Sequence, residues 1–81
     1  MNSLIITKSN KAVDIKFSKA KMTIFLEDDR KISYPLEWFR SLRDATIREL
    51  NNWRLIGDGE GIHWPDWDED ISIEELLNNN Y

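Results

Sequence analysis

Apolar residues alternate as Val13, Ile15 and Phe17 along Ala12–Ser18, and as Met22, Ile24 and Leu26 along Met22–Leu26. A period of two sends successive side chains to opposite faces, so both segments are expected as half-buried strands. The intervening SKAK, Ser18–Lys21, is short enough for a hairpin. The polar EDDR, Glu27–Arg30, reads as a turn into a third strand, Lys31–Tyr34, with Ile32 and Tyr34 on one face. An antiparallel meander is the economical arrangement.

Beyond Pro35 the period lengthens. Proline has no amide hydrogen for a ladder, and Leu36, Phe39, Leu42 and Arg43 recur at helical spacing, which predicts one short helix. Thr46 with Glu49 fits a capping box and predicts a second helical segment over Thr46–Asn52. Trp53–Ile56 is compatible with a strand. The glycine-rich Gly57–Gly61, GDGEG, permits a tight turn that returns Ile62–Trp64 as its hairpin partner. The stretch WPDWDED, Trp64–Asp70, then reads as a strand-to-helix connection, because Ser72 with Glu75 makes a second capping box that opens a helix through Leu77. Ile71, Ile73, Leu76 and Leu77 would pack inward, and the tail 78–81 would fray. The expected class is α+β: a small antiparallel sheet made of the N-terminal meander plus a later hairpin, with two or three short helices.

Length limits this to one domain over residues 1–81, with an ordered core at about 12–77, since chains of this size bury only about 60% of their unfolded surface. There is no cysteine, so neither a disulfide nor a thiolate-bound metal staples the fold, and a homodimer would add useful burial. Four Trp, three Phe and two Tyr supply heavy apolar units for so small a core. No apolar run approaches the roughly 20 residues of a membrane span, and the hydrophobic stretch in MNSLIITKSNK is too short for a signal peptide; the expected location is the cytoplasm.

Charge sharpens the picture. All 11 Lys and Arg lie at or before Arg54, beside seven acids, whereas the last 27 residues carry eight acids and no Lys or Arg. The formal charges are therefore +4 and −8. Such asymmetry indicates either a charged partner surface or two halves of one fold that face each other.

Candidate chemistry is sparse. Asp66, Asp68 and Asp70, with Ser72 and Glu74, resemble the start of a calcium loop, but Ile71 holds the position that needs glycine and Leu77 the position that needs a bidentate glutamate. His63 is the lone histidine; beside Asp66 or Asp68 it could act as a base or as one ligand of a metal-dependent enzyme, yet a transition-metal site wants more nitrogen or sulfur. No GxSxG, HExxH, Walker or GxGxxG pattern supplies a nucleophile, a zinc pair or a phosphate cradle. We therefore expect neither catalysis nor a cofactor. Arg40, Arg43 and Arg48 form a possible phosphate-binding patch, interrupted by Asp44 and Glu49 and opposed by the net charge of −4. Trp67, flanked by Asp66 and Asp68, is the tryptophan best placed to be partly exposed as an interaction hot spot.

The segments ISYPLEWF at Ile32–Phe39 and NNWRLIGDGEGIHWPDWDEDISIEELL at Asn51–Leu77 closely resemble the small bacterial domain of unknown function 2442. The shared pattern runs through Pro35, Leu36, Trp38 and Phe39, then Ala45–Thr46, Asn52–Trp53, Leu55–Gly57, the later glycines, Trp64, and Asp68–Ser72 with Leu76 and Leu77. Two positions depart from it. Asp29 stands where the hairpin turn usually has glycine, and Arg40–Ser41 replaces a Pro–Arg pair, which should let the helix run on. The resemblance implies a compact α+β fold in cytoplasmic bacterial proteins. Some members are fused to a helix-turn-helix domain, and many are encoded beside a small basic partner in arrangements like toxin–antitoxin pairs. Leu77 leaves no room for an appended DNA-reading domain, so nucleic-acid binding by the isolated chain is not the first expectation. That expectation is an acidic, antitoxin-like module that binds a small basic protein, with Asp66, Asp68, Glu69 and Asp70 steering and Trp67 and Trp64 anchoring. A transcription regulator that acts as a dimer or with its partner through Arg40, Arg43 and Arg48 is the alternative.

Overall fold

A computed structural model describes residues 8–78. The expectations for the first seven residues and for the tail 79–81 lie outside that range. Two three-stranded antiparallel sheets share one apolar core. The first is the meander β1 (Ala12–Ser18), β2 (Lys21–Leu26) and β3 (Lys31–Pro35); the second is β4 (Arg54–Ile56), β5 (Gly61–Trp64) and β6 (Glu69–Ser72). Between them run a 3₁₀ turn, Leu36–Trp38, and the helices α1 (Arg40–Arg43) and α2 (Ile47–Asn51), while α3 (Ile73–Leu77) closes the chain. The architecture is α+β.

Met22, Ile24 and Leu26 are buried from one face of β2, as their period predicts. β1 departs from simple alternation. Ala12 pairs with Leu26 and Asp14 with Phe25, so Val13 is an extra residue in the ladder and is 54% exposed, while Ala12 and Ile15 enter the core. A bulge of this kind shifts the inward positions by one. The Asp14 carboxylate helps hold it by accepting the Ile15 amide at 2.8 Å. The bulge also meets the glycine loop: a Cβ on Gly59, whose φ is +98°, would fall 2.3 Å from the Ala12 carbonyl oxygen. Only glycine lets the second sheet close on β1 at this point.

The single helix predicted after Pro35 is two pieces. Phe39 is extended (φ −116°, ψ 103°), which separates the 3₁₀ turn from α1 and drives its ring into the core, edge-on to Tyr34 at 6.1 Å. The break leaves Trp38 outside. The capping box on α2 forms as expected, with the Glu49 amide donating to Thr46 Oγ1 at 3.1 Å and the Thr46 amide donating to Glu49 Oε1 at 2.9 Å. At α3, Ser72 Oγ accepts the Glu75 amide at 3.3 Å.

WPDWDED is not a direct strand-to-helix connection. Pro65–Asp68 is a turn and Glu69–Asp70 begins β6, with Trp64 opposite Glu69 and His63 opposite Asp70. A third strand is inserted before α3. Ile71 must reach the core face beside Ile62 before the helix can start, and the positive φ of Asp68 (54°) makes the reversal.

Candidate interaction surface

The β5–β6 hairpin positions every residue of the predicted acidic contact, and its two faces differ. Ile62, Trp64, Glu69 and Ile71 fall on one side of the small sheet, and His63, Asp70, Gly61 and Ser72 on the other, because cross-strand partners share a face. Trp64 therefore points inward. It is 0% exposed, and its indole N–H donates to the Leu50 carbonyl at 3.0 Å, which satisfies one of the free carbonyls at the end of α2. Trp64 is a core residue and no anchor for a partner. Trp67 stacks on it with ring centroids 6.1 Å apart and is only partly covered, although its indole N–H is buried and without a hydrogen-bond acceptor among the described residues.

Sequence reasoning missed the most exposed indole. Trp38 is 57% exposed, packs edge-on against Tyr34 at 6.1 Å, and forms one wall of a groove of about 400 Å³ whose other lining residues are Phe39, Arg40, Ser41, Glu69 and Ile71. The signal was the extended Phe39: a helix broken there turns the preceding residue outward. The groove brings Trp38 beside the acidic strand, 31 residues away in sequence.

The acids themselves stay open. Among the described residues, no Lys or Arg forms an ion pair with any of the eight acids beyond Arg54; the arginine pairs present are Arg30–Asp28 at 2.9 Å and Arg43–Asp44 at 3.7 Å. The two oppositely charged halves thus meet without a direct ion pair among the described residues, although Lys8 and Lys11 line one depression with Glu60 and Glu74. Asp66 accepts the Asn52 side-chain amide at 3.2 Å, and Asp68 and Asp70 flank His63, with Asp70 Oδ1 2.5 Å from Nδ1 and Asp68 Oδ1 4.0 Å from Nε2. Of the two aspartates set beside His63 in the enzyme reading, Asp68 is thus the one brought near it, while Asp66 meets Asn52. Among the described residues no three His, Asp or Glu side chains converge at metal-binding spacing, and the alternating aspartates follow a turn and a strand instead of wrapping a cation.

Arg40 and Arg43 stand on α1 and Arg48 on α2, all exposed. They do not gather into one stripe: Arg40 lines the Trp38 groove, whereas Arg48 lines a separate depression with Glu49 and Asp66.

With this geometry established, the relatives can be placed. A family model described as "Protein of unknown function (DUF2442)" matches residues 12–81. The chain belongs to this family. No curated protein matches. Two solved structures share the fold: a protein of unknown function from Rhodospirillum rubrum (24% identity, TM-score 0.75, 84% of each chain covered) and an uncharacterized protein from Chromobacterium violaceum (18% identity, TM-score 0.73). The second comparison covers 84% of this chain and 64% of that one. The two departures from the DUF2442 pattern are both visible. Asp29 takes φ 73° in the hairpin turn, a value glycine adopts freely and aspartate tolerates, and Arg40–Ser41 opens a helix that runs only to Arg43. No helix among the described residues is long and apolar enough to cross a membrane.

Proposed function

We propose that this DUF2442 protein is a noncatalytic docking module, antitoxin-like and cytoplasmic, that neutralises a small basic partner protein by covering its working surface. The observation that carries the reading is the second sheet, where acids unpaired with any Lys or Arg adjoin an exposed indole. Complementary charge speeds and orients encounter, and buried aromatic area supplies most of the affinity. Asp66, Asp68, Glu69 and Asp70 steer. Trp38 anchors, with the partly covered Trp67 beside the acids, and Trp64 supports the hairpin from behind.

The test is calorimetric titration with the small basic partner that this reading requires, sought first in the adjoining reading frame. Trp38→Ala should weaken binding by on the order of 2 kcal/mol, the cost of losing a hot-spot aromatic, with an unchanged melting temperature. An unaltered Kd would remove Trp38 from the interface. The regulator alternative predicts a DNA band shift that weakens steeply with salt. Arginines that line separate depressions give it no comparable support.

A further inference from the structure

The proposed docking reading leaves open how a partner lies on the acidic sheet. We infer that the outer edge of β6 receives an extended segment of the basic partner as a fourth strand, with alternate side chains apolar and basic. The inference rests on the docking reading above and goes beyond it by specifying the partner's local conformation and side-chain pattern.

β6 is a terminal strand of its sheet. Among the described residues, no backbone group of Glu69, Asp70 or Ile71 hydrogen-bonds outside the ladder with β5, and Ser72 turns the chain into α3 with its hydroxyl capping the helix. An edge of this kind is a template for an added strand, with main-chain hydrogen bonds giving affinity and alternate side-chain pockets giving specificity. The other edges are less suited. β3 ends in Pro35 and carries Lys31, β1 carries the bulge and Lys16, and β4 carries Arg54.

Period two fixes what each side of the added strand would meet. On the side of Glu69 and Ile71 lies the Trp38 groove, walled by Trp38 and Phe39, which accepts apolar side chains. On the side of Asp70 and Ser72 lies the face with His63, where Asp70 is 62% exposed and Asp68 is 94% exposed, which accepts Lys or Arg. An apolar–basic alternation satisfies both at once. A second copy of this chain fits less well, because its β6 carries no Lys or Arg and so offers no cation to Asp68 and Asp70.

The test uses the intact chain, ¹⁵N-labelled, and an acetylated nine-residue peptide that alternates leucine and lysine. Three companions go with it: the same peptide with glutamate for lysine, one with scrambled order, and one N-methylated at alternate amides. The proposal predicts slowed hydrogen exchange at amides within Glu69–Ser72 on adding the alternating lysine peptide. It further predicts at least a roughly tenfold loss of affinity on N-methylation of the pairing face, on scrambling, and in the Trp38→Ala variant, with no binding of the glutamate peptide. Trp38 is mostly exposed, so an unchanged melting temperature certifies that this variant folds. If lysine peptides bind equally well when methylated or scrambled, the acidic surface attracts charge and the docking reading stands, but strand addition is wrong. If none of the peptides perturbs β6, strand addition is likewise wrong; the docking reading is then judged separately, by titration of the intact basic protein. Protection of β6 amides that rises with protein concentration alone would make a second copy the occupant and overturn the proposal.

Discussion

The Trp64 indole fills the centre of the core, with Trp67 stacked on it and its N–H closing the end of α2. Trp64→Ala should therefore cost roughly 3–5 kcal/mol, a large part of the stability of so small a domain, measured as a drop in the urea midpoint. Gly59→Ala should be severe for a different reason. It combines a left-handed φ with a Cβ driven onto the Ala12 carbonyl, and on the order of 3 kcal/mol is expected from strain and overpacking together. Asp28 contributes to the acid limb of stability. Its carboxylate is held by the Arg30 guanidinium and the Ser9 amide, which pulls its pKa from 3.8 down to about 2. A depressed folded-state pKa stabilises the protein above the unfolded value and is lost as protonation sets in, so this contribution is whole above about pH 4 and disappears as pH falls toward 2. Asp28→Asn should flatten the stability profile in that window and leave its shape near neutrality unchanged; an identical acid limb in both proteins would mean the bridge contributes nothing.

At the scale of elements, the hairpin between β1 and β2 turns on two residues, Lys19 and Ala20, both left-handed at φ 51° and 63°. Asn-Gly adopts that two-residue turn without the penalty that Lys and Ala incur, so Lys19→Asn with Ala20→Gly should stabilise the protein by roughly 1–2 kcal/mol in urea unfolding. The strands of the meander and the capping box of α2 were legible in the sequence because each is a local pattern: alternation in Met22–Leu26, and Thr46 three residues before Glu49. Three features were not. The bulge at Val13 depends on the Gly59 loop that closes over Ala12, the break at Phe39 on the Tyr34 ring it packs against, and β6 on pairing with β5, all contacts between segments distant in the chain. The candidate site divided in the same way. The acids were found from composition, and their freedom from Lys and Arg partners emerged only once the halves were placed. Of the expected anchors, Trp67 stays partly covered while Trp64 turns inward, and Trp38 joins as the exposed indole, because inward or outward direction follows from register and from a helix break, neither of which a run of residues such as WPDWDED displays.

For the whole molecule, charge is sorted along the chain, with every Lys and Arg at or before Arg54. The chain carries −4 overall, and of the eight acids beyond Arg54 four, Asp66, Asp68, Glu69 and Asp70, gather on β6 and the turn before it. A field of this kind accelerates encounter with an oppositely charged protein and is screened by salt over roughly 8–10 Å at physiological strength. The measurement that tests this account most directly is the stopped-flow association rate with the small basic partner proposed above, taken across ionic strength for the wild type and for the Asp66→Lys/Asp68→Lys/Glu69→Lys variant. The account predicts a wild-type rate that falls steeply with salt and a variant about ten- to a hundredfold slower at low salt, the two converging at high salt. Equal rates for the two proteins at low salt, or a wild-type rate indifferent to salt, would contradict it.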